Sequence, residues 1–106
     1  METIKSKRDF EKVFRGGKRI NHPLVRLSVT KSNEGTASRV AFVAPKRLGN
    51  AVCRNRCKRV LRAAAREADF PPAGYEVILF STGATRTASS TEVARALSKL
   101  VRRLDA

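Results

Sequence analysis

Hydrophobic positions along the chain recur with two periods, three to four residues in some segments and two in others, and these periods outline six elements. Phe10, Val13 and Phe14 share one face of a helix. Ser6 can cap the first turn of that helix, and Gly16-Gly17 can end it. We therefore predict that the first element is a short amphipathic helix.

The next two segments have the alternation of strands. From residue 25 to residue 30, hydrophobic side chains alternate with polar ones, which is typical of a half-buried strand. Residues 39–44 form a second such run, and Pro45 ends it because proline cannot donate to a ladder. The polar stretch 31–38, with Asn33 and Gly35, indicates a turn. We predict that the two strands pair antiparallel across this turn.

A long helix is expected from about Asn50 to Ala68, and three further signals follow it. The largely apolar run from Tyr75 to Phe80 indicates a third strand that is buried on both faces or central in its sheet. Ser89 and Glu92 form a capping box for a last helix. The apolar stripe of that helix comprises Val93, Leu97, Leu100, Val101 and Leu104.

The element order α-β-β-α-β-α predicts an α+β fold, a two-layer α/β sandwich with a β-α-β crossover inside it. A chain of 106 residues can bury one modest core, so residues 1–106 are expected to form a single domain. The 42% share of hydrophobic residues is typical of a folded chain.

The net charge of the chain narrows the class of molecule that it is expected to bind. Twenty-three Lys and Arg against nine Asp and Glu leave a net charge of +14, and the usual partner of such a field is nucleic acid. No apolar run approaches the roughly 18 residues of a membrane span, and no signal peptide is evident. We therefore expect a cytoplasmic RNA-binding protein with no membrane partner and no obligate protein partner.

Catalytic side chains are not expected in this chain. A metal-dependent nuclease needs converging carboxylates, but the nine acids are scattered. A metal-free ribonuclease usually needs an acid and a base, whereas His22 is the only histidine. Cys53 and Cys57 have the spacing of helix neighbours, which favours two buried apolar positions over a metal or redox site. We predict no catalytic and no metal-ligating residue.

The positive charge is concentrated on the helix predicted for residues 50–68. Like charges spaced i, i+4 cost a few tenths of a kcal/mol, and no acid between residues 35 and 66 offsets them. We expect phosphate groups of a nucleic acid to offset this repulsion, and the binding affinity should then depend strongly on salt. Arg54, Lys58 and Arg62 form one row along the helix, and Asn55, Arg59 and Arg66 lie beside that row. Arg56 lies on the other side of the apolar stripe, which comprises Cys53, Cys57, Val60, Leu61 and Ala64.

Residues 46–62, KRLGNAVCRNRCKRVLR, resemble the signature of the bacterial ribonuclease P protein subunit. Its core is Arg54-Asn55-Arg56, followed by Lys58, Arg59 and Arg62 at the spacing of the family. The pattern Phe10-x-x-Val13-Phe14-x-x-Gly17 matches the first helix of the family. The predicted element order extends the resemblance over nearly the whole chain.

The resemblance implies a ribosomal protein S5 domain 2-like α/β sandwich with a left-handed β-α-β crossover, against the general preference for right-handed ones. It also implies that the chain is the protein subunit of an endoribonuclease. Together with a catalytic RNA, such a protein promotes the Mg²⁺-dependent removal of the 5′ leader from precursor tRNA. The RNA subunit, which binds most of the Mg²⁺, would carry out the chemistry.

Two sites follow from the resemblance. The catalytic RNA would contact the basic helix at Arg54, Asn55, Arg56, Lys58, Arg59 and Arg62, beside which Arg66 adds another cation. The leader would occupy a cleft between the first helix and the sheet, lined by Phe10 and Phe14, with Lys46 and Arg47 near its rim and Phe42 as a further aromatic contact. Two positions depart from the family: Leu27 stands where many relatives have an aromatic residue, and the loop Ser81 to Arg86 has only one cation.

Two other functions are compatible with the charge. A general RNA-binding module, such as a ribosomal protein or an RNA chaperone, needs only this charge and fold. A DNA-binding regulator would place the helix of Arg54 in the major groove, but the chain lacks the short second helix and tight turn of a helix-turn-helix.

Overall fold

The computed structural model describes residues 2–32 and 38–104. The helices are α1 (Lys7–Gly16), α2 (Ala51–Glu67) and α3 (Ser90–Leu104), and the strands are β1 (Lys18–Asn21), β2 (Val25–Lys31), β3 (Arg39–Val43) and β4 (Tyr75–Ser81). Two short 3-10 turns, Lys46–Leu48 and Gly83–Arg86, precede α2 and α3. The predicted turn at 31–38, with Asn33 and Gly35, lies mostly outside the described residues.

The strand order in the sheet is β1-β2-β4-β3. β2 pairs antiparallel with β1 and β4, and β3 pairs parallel with β4. The predicted antiparallel pairing of β2 with β3 is therefore wrong. β4 lies between them: its run from Val77 to Leu79 is apolar on both faces and fully buried, as is typical of a central strand with helices on both faces of the sheet.

The strand β1 was not predicted from the sequence. It lies at an edge of the sheet, and of its four residues only Ile20 is buried. Lys18, Arg19 and Asn21 are exposed, so the segment has too little apolar alternation to indicate a strand. The observed order is α-β-β-β-α-β-α, and the predicted α+β sandwich is confirmed.

Helices cover both faces of the sheet. α2 and α3 pack together on one face, over a core that contains Leu61, Leu97 and Leu100 from the helices and Val25, Leu27, Val29, Val40, Val77 and Leu79 from the sheet. Because side chains alternate along a strand, Ser28, Ile78 and Phe80 point to the opposite face. There α1 packs on β2 and β4 through the buried Val13. We call this second side the α1 face of the sheet.

Each of the three helices begins with a side-chain cap, and the caps at Ser6 and Ser89 are the ones that the sequence predicts. Ser6 Oγ accepts the Asp9 N–H at 3.2 Å, and Asn50 Oδ1 accepts the Cys53 N–H at 3.0 Å. The Ser89 N–H donates to Glu92 Oε1 at 3.0 Å and the Glu92 N–H donates to Ser89 Oγ at 3.2 Å, so the predicted capping box is confirmed. None of the helices in residues 2–32 and 38–104 is long and apolar enough to cross a membrane.

The strands β3 and β4 with the intervening α2 form the predicted β-α-β crossover. Its left-handed sense stays a prediction from the resemblance. Because β3 and β4 are parallel, α2 must span the sheet from the end of one to the start of the other. The basic helix lies on the face opposite α1, packed with α3 over the main core.

Candidate nucleic-acid interface

A cleft of about 400 Å³ lies between α1 and the α1 face of the sheet. It has an aromatic wall, in which Phe14 of α1 meets Phe80 of β4 edge-to-face with ring centroids 5.8 Å apart. Its lining comes from α1, β1, β2, β4 and the chain around the first 3-10 turn. The lining residues are Phe14, Arg19, Asn21, Arg26, Leu27, Ser28, Pro45, Arg47, Phe80 and Ser81.

Three arginines surround the aromatic wall. Arg19, Arg26 and Arg47 all line the cleft, and among the described residues no carboxylate does. The guanidinium carbon of Arg19 lies 4.8 Å from the ring centroid of Phe14, within the range of a cation–π contact. Aromatic faces beside cations are what proteins use to hold unpaired nucleotides. The cleft therefore has the chemistry of a single-strand site.

Sequence reasoning missed Arg19, Arg26 and Phe80 as cleft residues. Arg19 belongs to the unpredicted β1, and Phe80 looks like an ordinary apolar position in a buried strand. Arg26 stands opposite Phe80 in the β2–β4 register, on the face away from the buried Leu27. The alternation around Leu27 was a usable signal, since it puts Arg26 on the α1 face.

The residues predicted for the leader are divided between two neighbouring places. Phe14 and Arg47 line the cleft. Phe10 stacks on Phe14, with ring centroids 6.1 Å apart, but it lines an adjacent groove of about 310 Å³ together with Phe42. Lys46 is exposed in the same turn as Arg47 and does not line the cleft.

The adjacent groove brings the two predicted sites close together. Lys58 and Arg62, predicted for the catalytic RNA, line it beside Phe10 and Phe42. The guanidinium carbon of Arg62 lies 5.7 Å from the Phe42 ring centroid, and Phe42 packs against the core under α2. Phe42 is thus on the α2 side of the sheet, while Phe10 reaches the groove from α1.

The basic helix presents the predicted surface. Cys57, Leu61 and Ala64 are buried, whereas Asn55, Arg56, Arg59, Arg62 and Arg66 are exposed and Arg54 and Lys58 half-buried. None of these cations forms an ion pair with a carboxylate of the described residues. Arg54 Nε is buried without a hydrogen-bond partner among the same residues. The outer face of α2 therefore carries positive charge that no carboxylate of the described residues neutralises.

Arg56 lies on the flank opposite the Arg54 row, as the helical wheel predicts. Its Nη1 donates to the carbonyl oxygen of Arg86 at 2.6 Å. This bond ties α2 to the loop after β4. The same loop is structural at its other end, where the hydroxyls of Thr82 and Thr85 donate to the carbonyls of Pro23 and Leu24 at 2.6 Å each.

A small second core holds the first 3-10 turn against α2. Ala44, Leu48 and Cys57 form it, with Cys53 at its edge. Burial raises the pKa of the Cys57 thiol, which therefore stays protonated and apolar at neutral pH. Gly49, at φ 135°, ends the turn in a conformation that suits glycine. Arg47 thereby has a rigid support between the cleft and α2.

His22 has a local structural role in the β1–β2 connection. Its Nδ1 accepts the Leu24 N–H at 3.1 Å. Desolvation and the neighbouring charges of Lys99 and Arg103 lower the pKa of His22, so it is neutral at physiological pH. Residues 2–32 and 38–104 hold no group of three or more His, Cys, Asp or Glu side chains that could bind a metal ion.

Comparison with known proteins places this geometry in a family. The Ribonuclease P family model matches residues 1–105. The chain is 38% identical over 101 residues to the ribonuclease P protein component of Herpetosiphon aurantiacus, covering 94% of this chain and 81% of that protein. It is 28% identical over 105 residues to the ribonuclease P protein component of Clostridioides difficile, covering 96% and 90%.

Solved structures show the same fold. The RNase P protein from Thermotoga maritima superposes with a TM-score of 0.79 at 24% identity, covering 97% of both chains. The RNase P protein of Staphylococcus aureus superposes with a TM-score of 0.79 at 19% identity, covering 98% of this chain and 95% of that one. With the family match over nearly its full length, the chain belongs to the ribonuclease P protein family, the non-catalytic protein part of the endoribonuclease that processes tRNA 5′ ends.

Proposed function

We propose that this chain binds the catalytic RNA of ribonuclease P through α2 and the 5′ leader of precursor tRNA through the cleft under α1, in the cytoplasm. The observation that supports this division most is the composition of the cleft. It combines two aromatic rings with three arginines, whereas the outer face of α2 combines cations with an asparagine. The first suits unpaired bases, and the second suits a phosphate backbone.

The α2 face is suited to structured RNA. The row from Arg54 through Lys58 to Arg62 runs along two turns of helix, and arginine can bind a phosphate with two parallel hydrogen bonds. Arg59 and Arg66 widen the row, and Asn55 adds a hydrogen-bonding side chain between the cations. Each phosphate neutralised releases counterions, so the affinity should depend strongly on salt.

The cleft is suited to a single strand of any sequence. Stacking on an aromatic ring is tolerant of base identity because every base has a π-face. Phe14 offers such a ring, and the planar guanidinium of Arg19 extends it. Arg26 and Arg47 can follow the backbone at the rim. Leader recognition would then depend little on sequence, as a processing enzyme with many tRNA substrates requires.

The bond-breaking step requires groups that residues 2–32 and 38–104 do not bring together. The described carboxylates and imidazole do not converge on a metal site, so these residues do not fit a catalytic Mg²⁺. In this proposal the RNA subunit binds the Mg²⁺ and activates the water. The protein positions the leader, and its net charge of +14 lowers the repulsion between the two RNAs.

The test is cleavage of precursor tRNA by the catalytic RNA at low Mg²⁺, with and without this protein. We expect the protein to raise kcat/KM, and to raise it more for a substrate with a leader of several nucleotides than for one with a single-nucleotide leader. Polylysine at equal charge is the control for neutralisation alone. Stimulation no greater than that by polylysine would contradict the proposal.

A further inference from the structure

Arg39 forms both of the ion pairs found among the described residues. Its Nε and Nη2 donate to Glu76 Oε2 at 2.9 and 2.5 Å, and its Nη1 donates to Asp9 Oδ2 at 3.0 Å. The three residues belong to β3, β4 and α1. One guanidinium thus joins the first helix to two strands of the sheet, in a chain whose other cations carry no such pair within residues 2–32 and 38–104.

Glu76 orients this guanidinium. It stands opposite Arg39 in the parallel β3–β4 register, and its side chain is only 8% exposed. A carboxylate at that depth needs a charged partner. Two of the donors of Arg39 are therefore committed to Glu76, and the rigid fork of the guanidinium turns the remaining end towards α1.

Asp9 lies in the first turn of α1, directly before Phe10 and about one and a half turns before Phe14. The far end of the helix has a separate attachment, in which Ser28 Oγ donates to the Val13 carbonyl oxygen at 2.8 Å. Gly17 allows this close approach, because a Cβ there would collide with Val13 O and Ser28 Oγ.

The segment before α1 is also tied to β3, where Ile4 N donates to Val40 O at 2.9 Å and Val40 N donates to Glu2 O at 3.1 Å. Among the described residues, the helix itself is joined to the sheet by two side-chain hydrogen bonds, one at Asp9 and one at Val13.

We propose that Arg39 is a positioning residue for leader binding, acting through Asp9 on the tilt of α1. With one attachment at Ser28 and the other at Arg39, the helix holds Phe14 at 5.8 Å from Phe80 and so sets the width of the cleft. Without the Arg39 attachment, the first turn of α1 is joined to β3 by the preceding backbone bridge at Thr3 and no longer by a side chain of its own, so the helix can tilt about its Gly17 end. This inference rests on the proposed function of the cleft.

The test removes the carboxylate of Asp9, the more exposed partner of the Arg39–Asp9 ion pair. Asp9→Ala leaves the Arg39–Glu76 pair in place, so the fold should survive. Glu11→Ala is the matched control, because it removes one carboxylate from an exposed position in the same helix and breaks no ion pair of the described residues. Asp9→Asn, which keeps an acceptor oxygen, should restore part of any loss.

Two quantities are measured on the full chain: amide hydrogen exchange of α1, and the ratio of affinities of the protein–RNA complex for precursor tRNA with and without its leader. For Asp9→Ala we expect α1 exchange to rise, and the leader-dependent ratio to fall, by roughly fivefold. α2 exchange and catalytic-RNA affinity should stay unchanged. Glu11→Ala should change neither quantity.

Unchanged α1 exchange in Asp9→Ala would overturn the inference, whatever happens to binding. Faster exchange with an unchanged leader-dependent ratio would also overturn it. In that second case Phe14→Leu decides whether the proposed function fails as well. If Phe14→Leu lowers the ratio, the cleft binds the leader and only the role of Arg39 is wrong; if it does not, the assignment of the cleft is wrong too.

Discussion

The cleft under α1 and the outer face of α2 are both cationic, but they are built in different ways. The α2 face comes from a single stretch of helix, in which cations recur at intervals of three and four residues. The cleft comes from α1, three strands and the chain around a 3-10 turn, and it mixes two phenylalanines with its arginines. One surface is a row of charges, whereas the other is an aromatic pocket with charges around it.

This difference predicts different energetics. Binding at a row of charges is driven by counterion release and weakens steeply as salt rises. Stacking on a ring is short-range and largely independent of salt, at about 1–3 kcal/mol per base. Salt dependence therefore separates the stacking contribution of the cleft from the charge contribution of α2, even though both surfaces bind RNA in the proposed function. The predictions that follow use this separation.

The largest effect is expected on α2. In the double variant Arg54→Gln/Arg59→Gln, the affinity for the catalytic RNA should fall about 30-fold at ~150 mM salt, and the slope of log affinity against log salt should decrease by about 2. The reason is the loss of two phosphate contacts. A filter-binding titration at several salt concentrations measures both quantities.

The matched control for that prediction is Arg102→Gln/Arg103→Gln, which removes the same charge from exposed positions of α3. It should weaken binding by less than about threefold, since only the long-range field changes. If both double variants lose affinity and slope equally, net charge alone explains binding and the distinct role of α2 is refuted.

A smaller effect, confined to the leader-dependent gain in affinity, is expected for Phe14→Leu. Leucine keeps most of the packing against Phe80 but removes the aromatic face, so the leader-dependent gain in affinity should fall about tenfold. The salt slope and the affinity for the catalytic RNA should stay unchanged. Fluorescence titration of the protein–RNA complex with precursor tRNA, with and without the leader, measures the gain. An equal loss for both substrates would show that Phe14 acts only on stability.

The smallest effect is expected for Arg19→Lys, which keeps the charge and removes the planar group that lies over Phe14. The leader-dependent gain should fall roughly twofold to threefold, within the range of an exposed cation–π contact. Arg19→Gln should lose the charge as well and show a reduced salt slope. The same titration measures both variants, and a full retention of the gain in Arg19→Gln would remove Arg19 from the leader site.

Much of the fold was predictable because its signals are local. The faces of α2 and α3, the caps at Asn50 and Ser89, and the burial of the 75–80 strand all depend on residues close together in the chain. The partner of each strand was not predictable in this way. β2 and β3 are neighbours in sequence order, yet β4 lies between them, and its residues Val77, Ile78 and Leu79 are fully buried on both faces of the sheet.

The α2 surface could be predicted for the same reason as α2 itself. A helix of known period places Arg54, Lys58 and Arg62 in one row, whatever the rest of the molecule does. The apolar stripe then settles which side faces solvent. Sequence by itself therefore determined the charge of this protein, the types of all its helices and strands except β1, its basic helix and, through the Arg-Asn-Arg motif, its resemblance to a family.

Only the tertiary structure decided which side chains share the cleft. Phe80 is distant in sequence from Arg19 and Arg26, and the three side chains meet because the β1–β2–β4 register puts them on one face of the sheet. The same holds for Arg39, which attaches α1 to the sheet through two acids from other elements. Helical spacing is set within a few residues, whereas sheet neighbours and register are set by the burial of the whole core, and no local pattern contains that information.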